Sequence, residues 1–203
     1  YSNATAKFTL RSNKILSDKA LFLDRDGVLI EDVHHINNPE KVKLCPNVIN
    51  FLGKAREENY DLIIITNQSS LSRSIINYEE YKKITSKFLS YLPSKIYPDL
   101  ILSSFHMPNN VNNLDDYHWR KPGTGMIDYA LKKRKYNKLN SFIIGDKLTD
   151  LVAGYESGLA KILYIQSKLH KNQSDLVKKW SSKNNIHYEQ LLKLDPQILS
   201  KEW

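Results

Sequence analysis

The sequence predicts an α/β protein built on a doubly wound, Rossmann-like parallel sheet of about five or six strands, with no large inserted cap domain. Three observations carry this expectation: short apolar runs recur along the chain, helix-length segments separate them, and two of the runs close on aspartate beside glycine. Parallel neighbours need long crossovers, which helices supply, so strands alternating with helices imply a parallel sheet.

The first run, Leu21-Phe22-Leu23, ends in Asp24-Arg25-Asp26-Gly27-Val28. Unbroken apolar character marks a strand buried on both faces, and Gly27 permits a sharp turn, so both carboxylates fall where the strand empties into a loop. Open α/β sheets bind their ligands at that edge. Neighbouring carboxylates repel, so the pair implies a metal cation, a shared proton or exposure to solvent. Alone, such a pair is common surface decoration.

Pro46 to Asn59, with Val48, Ile49, Leu52 and Ala55 on one side, reads as an amphipathic helix opened by proline. Asp61 to Ile65 is β-branched and apolar, then breaks into Thr66-Asn67-Gln68-Ser69-Ser70, suited to a loop and a helix cap. Tyr78 to Leu92 reads as a helix, Leu100 to Leu102 as a strand and Gly125 to Lys135 as a helix. Ser141 to Asp146 repeats the first pattern, and Lys161 to Ile165 is a fifth strand. Residues 1–18 read as a polar tail in which Ser2-Asn3-Ala4 resembles a tag remnant. Residues 19–170 form the expected domain and 171–203 a helical C-terminal extension, with Tyr188 to Leu192 as a short helix. Asn109 to Asp116 reads as an exposed loop.

At 203 residues, 41% hydrophobic, the chain suits one globular domain. A formal charge of +8 favours an anionic partner: nucleic acid, a membrane surface or a phosphorylated metabolite. The lysines are scattered rather than blocked, so nucleic acid is not the expected partner. One cysteine, Cys45, leaves no intramolecular disulfide and no thiolate cluster, which fits a reducing compartment. No apolar segment approaches the roughly 18 residues that cross a bilayer, so a cytoplasmic monomer without a membrane partner is expected.

Three strands therefore finish in polar groups at one edge: Asp24 and Asp26, then Thr66 and Asn67, then Asp146 with Asp150 four residues on. Carboxylates from two strand ends suit Mg2+, which prefers oxygen ligands and keeps waters that a phosphate can displace. Thr66 and Asn67 offer donors to phosphoryl oxygens, and Arg120-Lys121-Pro122-Gly123 adds two cations before a helix.

Asp24-Arg25-Asp26-Gly27, Thr66-Asn67-Gln68-Ser69, Arg120-Lys121-Pro122 and Gly145-Asp146-Lys147-Leu148-Thr149-Asp150, in that order, resemble the haloacid dehalogenase superfamily of phosphohydrolases. Within it they are most similar to the heptose bisphosphate and histidinol-phosphate phosphatases, over roughly residues 20 to 166. The resemblance implies that Asp24 attacks phosphorus to form an aspartyl-phosphate, and that Asp26 acts as acid and then base. It implies Mg2+ held by Asp24, the backbone carbonyl of Asp26 and Asp146. Thr66, Asn67, Gln68 and Lys121 would grip phosphoryl oxygens, and Arg73 and Arg120 would contact the substrate, Arg120 through a second anionic group. Asp150 and Lys147 would support them. The implied substrate is a small phosphorylated sugar such as heptose 1,7-bisphosphate. Alternatives are histidinol phosphate, a 3′-phosphate on DNA, or a phosphate-binding relic of the fold.

The heptose enzymes carry a zinc site made of cysteines and a histidine before the Arg-Lys-Pro motif. The matching segment here, Ser104 to Pro108 with Tyr117-His118-Trp119, has no cysteine, so no structural zinc is expected. Tyr117, Trp119 and Phe105 would order that loop by packing, with His106 and His118 in other roles. Ser70 and Ser74 replace glycines around Arg73, and His34-His35 replaces a Gly-Tyr pair, which bears on substrate identity; with no large cap over the site, residues 31–44, 69–77 and 104–120 are the expected specificity loops.

Overall fold

The computed structural model describes residues 5–10, 17–107, 118–167 and 169–200. Among them the strands are β1 (Thr5–Thr9), β2 (Ala20–Leu23), β3 (Asp61–Asn67), β4 (Leu100–Ser104), β5 (Phe142–Gly145), β6 (Lys161–Ile165) and β7 (Glu189–Leu191). The helices are α1 (Val48–Glu57), α2 (Tyr78–Ser90), α3 (Gly125–Arg134), α4 (Leu148–Glu156) and α5 (Gln173–Asn184). One sheet runs in the order β1-β4-β3-β2-β5-β6-β7. Every pairing is parallel except β1 with β4.

Alternation along the central strands explains why they read as continuous apolar runs. Leu21, Leu23, Leu62 and Ile64 pack with Phe51 of α1 and Phe88 of α2 on one face. Phe22, Ile63 and Ile65 pack with Met126 of α3 and Leu151 of α4 on the other. Both faces are helix-covered, so neither strand face is free to be polar. Each such side chain contributes roughly 1.5–3 kcal/mol by burial. Helix α2 opens with a capping box, Asn77 Oδ1 accepting from Glu80 N at 2.9 Å and Glu80 Oε2 from Asn77 N at 2.7 Å.

Two segments differ from the sequence reading. Residues 5–9, expected in a polar tail, form β1, pairing from Thr5 with Ser104 to Thr9 with Leu100. The stretch Tyr188 to Leu192, expected to be helical, contains β7 instead, with Glu189 paired to Leu163 and Leu191 to Ile165. The open edge of β6 decides this: its unpaired backbone groups outweigh a weak local helix preference. The C-terminal stretch thus adds a strand as well as the helix α5, and Asn47 Nδ2, just before α1, donates to Leu194 O at 2.8 Å. Asn109 to Asp116 and Tyr117 lie outside the described residues.

Candidate active site

Strand β2 lies between β3 and β5, with Leu23 level with Ile64 and Ile144. The three strands therefore finish together, and Asp24, Thr66 and Asp146 emerge side by side. Asp24 is 5% exposed, and its Oδ1 accepts from Lys121 Nζ at 2.9 Å. Burial pushes the Asp24 carboxyl up to about 6; Lys121 opposes the rise and Asp150 adds to it. Lys121, 2% exposed, also forms an ion pair with Asp150 Oδ1 at 2.6 Å and donates to Ile65 O at 2.9 Å. Burial works against its charge, but Asp150 and Asp24 outweigh it and raise the ammonium above its usual range.

Asp26 is clasped from two sides. Arg25 approaches it through Nη2 at 3.0 Å and Nε at 3.2 Å, and Gln68 Nε2 donates to Oδ2 at 2.5 Å. The Thr66 hydroxyl lies 3.4 Å from the same oxygen and accepts from Gln68 at 2.8 Å. Arg25 is buried, its guanidinium centred 5.9 Å from the Tyr81 ring. Sequence reasoning gave Arg25 no role, although a cation between two aspartates was the available signal. Asn67 uses its side chain on Lys121: Nδ2 donates to Lys121 O at 2.9 Å, and Lys121 N donates to Oδ1 at 3.1 Å. Its side-chain amide therefore anchors the lysine segment.

Asp146 is wholly buried and neither of its carboxylate oxygens has a hydrogen-bond partner. Burial raises it well above the usual carboxylate range; Lys147 opposes this, and Asp24 and Asp150 reinforce it. Asp24, Asp146 and Asp150 each bring an oxygen within 4.8 Å of the others. Two glycines make room for this crowding. A Cβ on Gly27, whose φ is +92°, would stand 2.3 Å from Asp146 Oδ2, and one on Gly145 would stand 2.1 Å from Asp150 Cβ. Buried carboxylate oxygens left without donors are costly unless a cation binds them, and an all-oxygen set at this spacing fits Mg2+.

The flanks carry different charges. On the β3–β4 side Arg120 is half-buried, its Nη1 donating to His106 O at 2.8 Å, and burial together with the Arg73 charge lowers its affinity for its proton. Phe105 packs edge-on against Tyr81 at 5.1 Å, and Trp119 against Tyr129 at 5.7 Å with its Nε1 donating to Ser103 O. His118 Nε2 lies 3.8 Å from Asp128. Ser74 adopts a φ of +55°, the conformation a glycine would take without strain, and Ser70 Oγ lies 2.9 Å from His35 Nδ1. On the β5–β6 side Lys147, Asp32 and His170 form a linked group. No sequence pattern connects Asp32 with His170, and neither was singled out. Beside them a cavity of about 580 Å3 is bounded by Gly27, Asp32, Cys45, Ser167, Leu192 and Leu194.

A doubly wound sheet with paired aspartates after its central strand and a buried lysine between carboxylates defines a haloacid dehalogenase-type phosphatase, a phosphoric monoester hydrolase. The chain belongs to the family described as polynucleotide kinase 3 phosphatase, whose model matches residues 19–191. It is 32% identical over 163 residues to a D-glycero-α-D-manno-heptose-1,7-bisphosphate 7-phosphatase of Photorhabdus laumondii, covering 78% of this chain and 86% of that one. It is 33% identical over 165 residues to the histidine biosynthesis bifunctional protein HisB of Blochmanniella floridana, covering 77% of this chain and 45% of the relative. The fold matches a solved D,D-heptose 1,7-bisphosphate phosphatase from B. bronchiseptica, complexed with magnesium and phosphate, at a TM-score of 0.71 and 20% identity, covering 90% of this chain and 99% of that one. No described helix is long and apolar enough to cross a membrane.

Proposed function

We propose that this phosphatase is Mg2+-dependent and removes one phosphate from a small sugar bisphosphate such as D-glycero-D-manno-heptose 1,7-bisphosphate, acting in the cytoplasm. The observation that carries the reading is the buried Asp24 carboxylate paired to Lys121 beside the hydrogen-bond-free Asp146. Mg2+ would be held by Asp24, the backbone carbonyl of Asp26 and Asp146, and when bound it offsets the repulsion between an anionic nucleophile and an anionic phosphate.

Asp24 attacks phosphorus, and the sugar oxygen leaves with a proton supplied by Asp26. A water, deprotonated by Asp26, then attacks the aspartyl-phosphate and returns Asp24 as a carboxylate. Lys121 neutralises charge on the transferring group in both steps, and its links to Asp150, Ile65 and Asn67 keep it there without reorganisation. Thr66 and Gln68 fix the Asp26 carboxylate. Arg120, with Arg73 as a second cation whose charge it feels, takes the second phosphate of the substrate. The heptose bisphosphate phosphatases among the relatives support this substrate class.

A second reading, hydrolysis of a nucleic-acid 3′-phosphate, draws on the family description and the +8 charge. Phosphate release should be measured with heptose 1,7-bisphosphate, histidinol phosphate and a 3′-phosphorylated oligonucleotide, with and without Mg2+, at two salt concentrations. The bisphosphate should give the highest kcat/KM, abolished by chelator. A preference for the oligonucleotide that falls steeply with salt would favour the second reading.

A further inference from the structure

Lys147 follows Asp146 directly in sequence, and its ammonium lies 3.6 Å from Asp146 Oδ1, yet Asp146 accepts no hydrogen bond. The ammonium instead donates to Asp32 Oδ2 at 3.2 Å. The same oxygen lies 2.9 Å from His170 Nε2. Asp32 is supplied by the loop after β2 and His170 by the segment after β6, so two remote parts of the chain meet over one lysine. The His34 ring packs edge-on against His170 with centroids 5.8 Å apart, bracing the imidazole. With side-chain exposures of 12% for Asp32 and 30% for Lys147, this pair is shielded from bulk water far better than an ordinary surface ion pair.

A lysine ammonium and a divalent cation compete for the same carboxylate oxygens. Asp146 is the most deeply buried acid here and attracts the ammonium at close range, so without a rival acceptor Lys147 would close the remaining gap. We propose that Asp32, steadied by His170, is a positioning residue that holds the Lys147 ammonium off Asp146 and keeps that carboxylate open for a divalent cation. The proposal rests on the Mg2+-dependent reading above. It also gives a purpose to the segment after β6, which brings His170 to this edge of the sheet.

Calorimetric titration of Mg2+ into metal-stripped protein tests this without relying on turnover. Asp32→Asn should weaken Mg2+ binding about tenfold or more, in the range found when residues behind a metal ligand are removed. Asp32→Asn combined with Lys147→Met should bind within about threefold of Lys147→Met alone, because no ammonium remains to be diverted. Asp32→Glu should keep most of the affinity, and His170→Ala should cost less than Asp32→Asn. Parent-like affinity in Asp32→Asn, or a double variant as weak as Asp32→Asn, overturns the proposal. Absence of binding by the parent protein overturns the metal reading itself, and the proposal with it.

Discussion

Lys121 reaches Asp24 across 97 residues of sequence, Nζ to Oδ1 at 2.9 Å, in a setting where both side chains are buried. The same ammonium lies 2.6 Å from Asp150 Oδ1, and the Asp150 side chain is 1% exposed. Lys121→Met therefore removes the ammonium that pairs with two buried carboxylates. Chemical denaturation should show a loss of about 3–5 kcal/mol, the usual cost of breaking a buried pair from one side. Phosphatase activity should fall at least about a hundredfold. Retention of stability within about 1 kcal/mol of the parent would contradict the pairing.

Mg2+ should stabilise the protein more at pH 7.5 than at pH 5. The Asp24 carboxyl rises from 3.8 to about 6 on folding without metal, mainly through burial. A raised carboxylate pKa contributes stability that is fully present below 3.8 and lost as pH rises through 6. This loss amounts to about 3 kcal/mol at most. Above pH 6 the metal-free site holds a poorly solvated charge that Mg2+ can neutralise, whereas at pH 5 the ion must displace a proton. Thermal melts with and without Mg2+ at the two pH values check this; equal shifts would count against it.

Arg120, whose hold on its proton is weakened by burial and by the charge of Arg73, makes a separable prediction. Arg120→Ala should raise KM for a sugar bisphosphate roughly tenfold or more, as expected for a lost charge-assisted contact, while changing KM for the matching monophosphate little. Steady-state kinetics on the two substrates give the comparison. Equal effects on both would assign Arg120 to the loop, through its bond to His106, rather than to the substrate.

Cys45 should be a poor nucleophile. Burial, reinforced by the carboxylates of Glu31, Asp146, Asp26 and Asp32, pushes its thiol from 9.0 up to about 12. Only the thiolate reacts, so at pH 8 the thiolate fraction is about a thousandfold below that of an unperturbed cysteine. Iodoacetamide labelling of native protein should be at least about a hundredfold slower than of denatured protein, accelerating as pH rises. Labelling at the denatured rate would show that burial and the nearby carboxylates do not suppress the Cys45 thiolate.

The parts of this molecule legible in the sequence are those whose cause is local. Leu21–Leu23 and Asp61–Ile65 are buried on both faces, so their burial is written as unbroken apolar runs, and the polar residues that end them mark the edge that holds the candidate site. Asp24 and Asp146 were legible because each follows the end of such a strand, and Lys121 because it stands just before a helix. β1 and β7 were not, since each is a strand only because a neighbour offers an unpaired edge. Arg25 was passed over because its importance comes from burial against Tyr81, and Asp32 with His170 because 138 residues separate the two partners. Asn67 carried an ambiguous signal: its amide suits a phosphate, but the fold turns it to the Lys121 backbone.

The central claim is that Asp24 carries the phosphoryl group. Its most direct test is phosphate release from heptose 1,7-bisphosphate by Asp24→Asn beside the parent protein, with Mg2+ present and folding of the variant verified by its melting curve. Loss of the nucleophile predicts a fall in kcat of at least about a thousandfold. Hydrolysis by the substituted protein at the parent rate would contradict it.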